Sequence, residues 1–391
     1  MKAPYTEAAP EGAASFWSGP AGPNRPTAAV IDLGALEHNC REVMRRVPGK
    51  KVLAVVKANA YGHGAVPVAR RLLGAGASLL GVALVEEGRE LRDAGIDAPV
   101  LVMGAVFPEQ ADALVAANLI PVVFDSSVAR AVAAAARKRG SRAAVHVKID
   151  TGMGRIGVSP EHAVGLVQEI RDLGNVDVQG LMTHFADADL RDKQFASLQM
   201  DRFEGLVRAL EAKGISIPQC HAANSAAVLD YPRACFTMVR PGIMLYGYDP
   251  LETGPGNADL LPVLSLRTRI AFVKTVPAGI PISYGRTFVT KRESVIATLP
   301  IGYADGYSRS LSNRGEALVR GSRVPVVGRV CMDMCMIDVT GISGVHAGDE
   351  AVLIGSQGSE RITAQDIAEK TGTIAYEVLC GISSRVPRIY Q

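Results

Sequence analysis

A lysine follows an apolar run near the start of the chain, and its amine is a group that could do chemistry. Residues 52–56 are continuously apolar, and Lys57 comes directly after them. Partial withdrawal from water lowers the pKa of an amine and lets it attack a carbonyl to form a Schiff base. A lysine whose stem covers apolar surface while its ammonium reaches water would fit this position equally well. Lys57 alone leaves both alternatives open.

Two later segments contain residue types that bind phosphate. The segment HAANSAA at 221–227 holds Asn224 and Ser225, which could cap a helix and present hydroxyl and backbone donors. In RPGIMLYG, at 240–247, Gly242 would let backbone N–H groups approach an anion closely. An ordinary helix cap and turn would use the same residues. Beside a Schiff-base lysine, however, a phosphate site favours pyridoxal 5′-phosphate (PLP) as a cofactor.

The elements that would position these residues alternate short apolar runs with helical, alanine-rich segments. Parallel strands that are buried on both faces are continuously apolar. Eight such runs occur, at 52–57, 79–83, 99–103, 120–124, 144–149, 177–183, 218–222 and 236–240. Eight β-α units within about 250 residues predict an α/β protein with a (β/α)8 barrel, whose active site lies at the carboxyl ends of the strands. An open doubly wound sheet is the alternative, although KANAYGHG rather than GxGxxG follows the first run.

The predicted barrel is followed by a different pattern. After about residue 260, strand-like segments such as SVIATLP and EAVLIG alternate with turn residues, and TAQDIAEKTG is typical of one short helix. We therefore expect a barrel domain at 27–260 and a mostly β domain at 261–391. Residues 1–26 are rich in Pro, Gly and Ala and lack the apolar core of a signal peptide, so we expect a disordered extension there.

The composition argues against several classes of protein. The 42 basic and 39 acidic residues nearly cancel, and no basic stripe with interleaved aromatics occurs, so we expect no nucleic-acid partner. No apolar stretch approaches the roughly 20 residues that a membrane helix needs, so we expect no membrane partner. Six scattered cysteines indicate reduced thiols and a cytoplasmic protein. Cys331 and Cys335 have no cluster of histidines or cysteines nearby, so we expect no metal site.

Nine motifs, taken together and in their order, resemble alanine racemases. The motifs are VVKANAYGHG, KIDTGMGRIG, MTHFADAD, HAANSA, RPGIMLYG, SYGRTF, IGYADGYSR, GRVCMDM and AYEVLCGISSRVPRIY, and the resemblance covers residues 27–391. It implies a PLP-dependent isomerase that interconverts L-alanine and D-alanine and supplies D-alanine for peptidoglycan. It also implies a homodimer whose active sites are shared across the interface. Residues 1–26 lie outside the resemblance.

The resemblance implies a role for each matching residue. Lys57 would hold PLP as an aldimine and act as one base, and Tyr284 from the partner subunit would be the second base. The residues in contact with PLP would be Lys57, Tyr61, Arg155, His184, Asn224, Ser225, Arg240, Gly242, Ile243 and Tyr376, with His221 beside Arg240. Arg155 and Met332 would contact the substrate carboxylate. The channel residues would be Tyr303, Tyr376, Asp189 and Arg309, and Lys148 would be carbamylated.

Arg240 separates the racemase interpretation from its alternatives. An arginine can only donate hydrogen bonds, so a pyridine nitrogen that faces Arg240 would stay unprotonated and the ring would be a weaker electron sink. A basic amino-acid decarboxylase of the same architecture would have an acidic residue there. A PLP carrier protein would need no β domain with Tyr284. Serine as a further substrate, a biosynthetic or catabolic role, and the role of Arg286 stay open.

Overall fold

The computed structural model describes residues 25–251 and 258–391, which form two compact units. The barrel unit consists of Ile31–Leu264, Thr373–Gly381 and Tyr390–Gln391. The β unit consists of the described residues up to Val30, Ser265–Gly372 and Ile382–Ile389. The main boundary lies close to residue 260. The barrel unit also includes short segments after this boundary, and the β unit includes a short segment before it. Residues 1–24, most of the extension expected to be disordered, lie outside the described residues.

After strand β1 (Ala28–Ile31), eight parallel strands form the sheet of the barrel unit. They are β2 (Lys51–Val55), β3 (Leu79–Val82), β4 (Val100–Val102), β5 (Ile120–Val123), β6 (Ala143–Lys148), β7 (Val176–Met182), β8 (Gln219–His221) and β9 (Met238–Val239). Their neighbour order is β8-β7-β6-β5-β4-β3-β2-β9. The Thr237 N–H donates to the Cys220 carbonyl at 3.1 Å, which brings β9 to β8 and nearly closes the ring. The predicted barrel is confirmed, and the open doubly wound sheet is wrong.

Helices connect these strands. Those of the barrel unit are α1 (Leu33–Arg46), α2 (Lys57–Tyr61), α3 (Ala65–Gly74), α4 (Val85–Asp93), α5 (Ala111–Ala116), α6 (Ser126–Lys138), α7 (Pro160–Asp172), α8 (Gln194–Glu211), α9 (Ser225–Asp230) and α11 (Ala375–Cys380). The side chains of Asp32, Asp125 and Asn224 accept backbone hydrogen bonds where α1, α6 and α9 begin. Within residues 25–251 and 258–391, no helix is both long and apolar enough to cross a membrane.

Glycines make room for large side chains inside the barrel. A Cβ at Gly81 would overlap the Leu53 side chain, and a Cβ at Gly180 would overlap the His146 ring. Side chains alternate between the faces of a strand, so His146 and Lys148 lie on the same face of β6. Both are buried. The barrel interior therefore includes a polar ring and an amine as well as aliphatic side chains.

The β unit contains three sheets. Its later strands are β10 (Leu264–Arg269), β11 (Phe272–Val276), β12 (Pro281–Ile282), β13 (Phe288–Val289), β14 (Ser294–Leu299), β15 (Glu316–Val319), β16 (Ser322–Pro325), β17 (Cys335–Asp338), β18 (Glu350–Gln357), β19 (Glu360–Ile362) and β20 (Arg388–Tyr390). Seven strands form the order β16-β15-β18-β10-β1-β20 with β19 on β18; the others are β11-β14-β17 and β12-β13. One helix, α10 (Ala364–Thr371), lies at the predicted position. The mostly β second domain is confirmed.

Candidate active site

A cavity of about 520 Å³ opens at the carboxyl ends of the barrel strands. Lys57 lies two residues beyond β2, and Lys148 and Met182 end β6 and β7, which is the face on which barrel enzymes build active sites. All residues predicted to contact PLP line this cavity, namely Lys57, Tyr61, Arg155, His184, Asn224, Ser225, Arg240, Gly242, Ile243 and Tyr376. Lys148 lines it as well. The fold therefore brings together residues from six of the nine motifs, the last of which contains α11.

The chain that carries Lys57 makes a left-handed turn. Ala58, Asn59, Ala60 and Tyr61 have φ angles of 52°, 53°, 52° and 53°. This conformation costs a residue other than glycine about 1–2 kcal/mol. Such strain persists only where the surrounding structure enforces it, and it is concentrated at functional sites. The turn brings both Lys57 and Tyr61 to the cavity wall.

Four cationic side chains face the cavity: Lys57, Lys148, Arg155 and Arg240. None of the described residues that line it is acidic. Burial, and then the charges of Arg240 and Arg155, lower the pKa of Lys148 to about 7. Burial and then Arg155 also lower the pKa of Lys57 below its ordinary value. The cavity therefore favours anionic groups and leaves Lys148 partly neutral near neutral pH.

The Arg240 guanidinium is fixed by acceptors on two sides. Its Nη1 donates to His221 Nδ1 at 2.9 Å and to the His221 carbonyl at 2.8 Å. Its Nη2 donates to the carbonyls of Thr183 at 2.7 Å and Ala222 at 3.0 Å, and lies 3.2 Å from His184 Nδ1. Among the described residues, no acceptor faces the Nε hydrogen. The hydrogen bonds of Arg240 within the described part of the chain therefore all use its two terminal nitrogens.

The arginine determines which nitrogen of each neighbouring histidine carries the proton. Arg240 only donates, so Nδ1 of His221 and Nδ1 of His184 accept and their protons lie on Nε2. His221 Nε2 lies 2.8 Å from His146 Nδ1 and donates to it. The remaining His146 Nε2–H has no partner in the described part of the chain. Burial and then Arg240 lower the pKa of all three rings, that of His146 to about 3, so the rings are neutral.

The part of the cavity around Ser225, Gly242 and Tyr61 offers hydrogen-bond donors that suit an anion. Ser225 Oγ accepts from the Gly242 N–H at 2.9 Å, which leaves its own hydrogen to donate. A Cβ at Gly242 would overlap the Tyr61 hydroxyl, so only glycine allows this approach. The Tyr61 ring lies 4.7 Å from the Tyr246 ring and 5.9 Å from the Tyr376 ring. Burial raises the pKa of Tyr61, so its hydroxyl stays protonated and can donate.

The structure places the remaining predicted residues elsewhere. Tyr284 and Met332 line a second cavity of about 580 Å³ within the β unit. Tyr303 belongs to a loop that is hydrogen-bonded to the Met332 loop: its N–H donates to the Cys331 carbonyl at 3.0 Å. Ser283 Oγ donates to the Arg329 carbonyl at 2.7 Å and fastens the Tyr284 loop to the same segment. Arg309 is exposed in the β unit, and Asp189 is exposed in the barrel unit.

Several residues at the cavity were not predicted. Residues 103–105 form part of its wall directly after β4, and their position after the run at 99–103 was a usable signal. Cys380 also lines the cavity. Glu87 Oε1 accepts from the Ala58 N–H at 2.6 Å, and His146 contacts a residue 75 positions away in the chain. No local sequence pattern predicts the roles of Glu87 and His146, because the partner of Glu87 is a backbone N–H and that of His146 is a side chain far away in the sequence.

Comparison with known proteins covers both units. Family models described as the N-terminal and C-terminal domains of alanine racemase match residues 31–250 and 263–390. The chain belongs to the alanine racemase family. Alanine racemase from Halothermothrix orenii is 52% identical over 368 residues, 94% of this chain and 97% of that protein. Alanine racemase from Methanococcus maripaludis is 47% identical over 370 residues, 94% of this chain and 99% of that protein.

Solved structures of the family share the fold. Alanine racemase from Clostridium difficile 630 has a TM-score of 0.90 at 38% identity, over 94% of this chain and 96% of that one. Alanine racemase from Bartonella henselae with covalently bound pyridoxal phosphate has a TM-score of 0.84 at 28% identity, over 94% of this chain and 99% of that one. This chain is accordingly an isomerase of the alanine racemase family, as its motifs predict. The relatives and structures named here are all alanine racemases, which favours this interpretation over the decarboxylase and carrier alternatives.

Proposed function

We propose that this chain interconverts L-alanine and D-alanine on PLP, with Lys57 and Tyr284 of a partner subunit as the two bases, and supplies D-alanine for peptidoglycan. One observation carries the proposal: a single cavity contains both the Lys57 amine, whose pKa is lowered, and a site suited to an anion at Ser225 and Gly242. The racemase relatives support the substrate, because their names specify alanine.

The cavity residues fit PLP. Tyr61, Ser225 and the backbone of Gly242 and Ile243 would hold the phosphate, with Asn224 capping the helix that carries Ser225. The free Nε–H of Arg240 would donate to the pyridine nitrogen. When bound, PLP supplies an aldehyde for amines and an electron-accepting ring. The Bartonella henselae relative, with its covalently bound pyridoxal phosphate, supports this assignment.

Lys57 would move the α-proton on one face of the substrate. Its lowered pKa increases the neutral fraction of the amine, which is the form that accepts a proton at Nζ. Arg240 would limit side reactions, because it can only donate and so keeps the facing nitrogen unprotonated. Arg240 would thereby favour return of the proton to the α-carbon, so that the product is again an amino acid.

The second base would come from another copy of the chain. Tyr284 is 74% exposed in its own chain, and Met332, the proposed carboxylate contact beside Arg155, is 53% exposed. The Nε2–H of His184, on the side of the ring away from Arg240, would donate to a phenol oxygen and stabilise its charge. Tyr303, Arg309, Asp189 and Tyr376 would line the route of entry. A homodimer that shares its active sites would bring these groups together.

Lys148 is the proposed carbamylation site. The buried amine has a pKa of about 7, so a large fraction is neutral and able to react with CO2. The resulting carbamate would be an anion beside Arg155 and Arg240 and would offset part of the cavity's positive charge. Mass spectrometry of the intact protein should show the mass of one added CO2, which is lost on acidification and is absent from Lys148→Met.

The proposed location is the cytoplasm, and the proposed partners are alanine and a second copy of the chain. All six cysteines are free thiols, which suits a reducing compartment. The near balance of charge gives no basis for a nucleic-acid partner, and we propose no membrane partner. Within the described residues no group of three or more His, Cys, Asp or Glu side chains is arranged for a metal, and the proposed reaction needs none.

The proposed function is tested by following L-alanine in D2O with the purified protein and PLP. We expect equal amounts of both enantiomers, deuterated at Cα and formed without loss of CO2. Neither Lys57→Ala nor Tyr284→Phe should racemise, whereas Tyr284→Phe should still exchange the α-proton of the enantiomer that faces Lys57. Undeuterated L-alanine after incubation with the wild type would contradict the proposal.

A further inference from the structure

The left-handed turn after Lys57 needs an external contact to hold it. Within the turn, the Ala60 N–H donates to the Val56 carbonyl at 2.9 Å and the Gly62 N–H donates to the Ala58 carbonyl at 3.0 Å. Asn59 Oδ1 accepts from the Ala65 N–H at 2.8 Å and fixes the far end. The near end, where the turn leaves Lys57, is the Ala58 N–H, and its acceptor comes from another element.

That acceptor is the carboxylate of Glu87 in the first turn of α4. Its Oε1 accepts from the Ala58 N–H at 2.6 Å. Its Oε2 accepts from the Ala83 N–H at 2.7 Å and the Leu84 N–H at 3.1 Å, an ordinary use of a glutamate where a helix begins. One carboxylate therefore joins the chain after β2 to the chain after β3. The bond to Ala58 is additional to what the helix start needs.

The charge of Glu87 also acts on the Lys57 amine. The groups that influence this amine are Arg155, Glu87 and Cys380, and the cationic Lys148 shares the cavity with it. Arg155 opposes the charged form of Lys57, whereas Glu87 favours it. Glu87 is the one carboxylate among these groups in the described part of the chain.

We propose that Glu87 is a positioning residue for Lys57, which fixes the left-handed turn through the Ala58 N–H and places a negative charge within electrostatic range of the amine. The proposal rests on the proposed function only in giving Lys57 its task. Glu87 is not one of the residues that line the cavity, so it would act on Lys57 through the backbone and through its charge.

The test compares Glu87→Gln and Glu87→Ala with a matched control, Glu86→Gln. Glu86 is the neighbouring acidic residue in the same helical turn and is exposed. In the PLP-free protein, the pH dependence of Lys57 acetylation by acetic anhydride, read by peptide mass spectrometry, reports the pKa of the amine. We expect both Glu87 variants to shift this curve to lower pH, and Glu86→Gln to follow the wild type.

The second readout separates the turn from the charge. Formation of the imine between Lys57 and added PLP is followed by its visible absorbance, which does not require alanine to be the substrate. Glu87→Ala should slow imine formation at least about tenfold, because a misplaced reactive group loses that much. Glu87→Gln has one amide oxygen, which can accept from Ala58 only by giving up the bonds from Ala83 and Leu84, so it should recover part of the rate. Wild-type titration curves and imine rates in both variants would overturn the proposal. If wild-type protein forms the imine but does not racemise alanine, the proposed function fails and this test still stands.

Discussion

The cavity of the barrel unit and the exposed surface of the β unit present their functional side chains in opposite ways. Arg240 is 3% exposed, and its terminal N–H groups all have acceptors within the chain. Tyr284, Tyr303 and Met332 are 74%, 42% and 53% exposed. Barrel residues are therefore positioned by buried contacts, whereas those of the β unit are presented on its surface. Substitutions should accordingly change stability and activity together in the barrel, and activity alone on the β unit.

The largest contrast is expected between Arg240→Met and Tyr284→Phe. Arg240→Met leaves His221 Nδ1 and the buried carbonyls of Thr183 and Ala222 without donors, so the free energy of unfolding should fall by about 3–5 kcal/mol. Tyr284→Phe should change it by less than about 0.5 kcal/mol. Racemisation should fall at least about 100-fold in both. Urea unfolding and a racemisation assay measure the two effects, and equal destabilisation in both variants would break the comparison.

Arg25→Ala tests whether the β unit also contains a buried electrostatic contact. Arg25 donates to both oxygens of the fully buried Asp305 carboxylate at 2.7 Å. Because the Arg25 side chain is 26% exposed, we expect Arg25→Ala to lower the free energy of unfolding at pH 7 by about 2 kcal/mol. The control Arg314→Ala, at an exposed position, should lower it by less than about 0.5 kcal/mol.

The Arg25 effect should depend on pH. Burial raises the pKa of Asp305, but hydrogen bonds from Arg25 and Gly302 lower it by more, and the net pKa lies below the ordinary value. A carboxyl whose folded pKa is depressed contributes stability above its unfolded pKa of about 4, and that stability is lost as pH falls through the folded pKa. The difference between wild type and Arg25→Ala should therefore shrink in acid. A difference that is constant from neutral pH into acid would contradict the ion-pair interpretation.

His146 sharpens the comparison within the barrel. His146→Leu removes the acceptor of His221 Nε2–H and should cost about 1–3 kcal/mol of stability. It should also lower activity, because the His221 ring loses the hydrogen bond that holds it against Arg240. His146→Asn places an amide oxygen near the position of Nδ1 and should restore much of both. Urea unfolding and a racemisation assay measure the two effects, and wild-type stability and activity in His146→Leu would refute the prediction.

The smallest effect expected is a gain in stability. Ala58→Gly relieves one left-handed residue of the Lys57 turn and should stabilise the protein by up to about 1 kcal/mol. Ala134→Gly, at an exposed position in the middle of the right-handed helix α6, should destabilise the protein by about 1 kcal/mol. Thermal unfolding of the two variants should shift in opposite directions. Equal destabilisation would show that Ala58 carries no strain.

The sequence predicts the barrel better than the details of its cavity. Continuous apolar runs mark buried parallel strands, so all eight strands and the position of Lys57 at a strand end follow from local pattern. The left-handed turn does not, since Ala58 and Ala60 disfavour that conformation and only tertiary contacts enforce it. Glu87 looks like any glutamate at a helix start, and its extra bond to Ala58 depends on the spacing of β2 and β3.

The central claim is that each active site takes Lys57 from one chain and Tyr284 from another. The most direct test mixes inactive Lys57→Ala and Tyr284→Phe proteins, lets the subunits exchange, and measures racemisation. A mixed dimer would contain one site with both native residues, so random exchange should recover about a quarter of wild-type activity. Separate tags on the two variants establish that exchange has occurred. No recovery in a mixture with proven exchange would contradict the shared site.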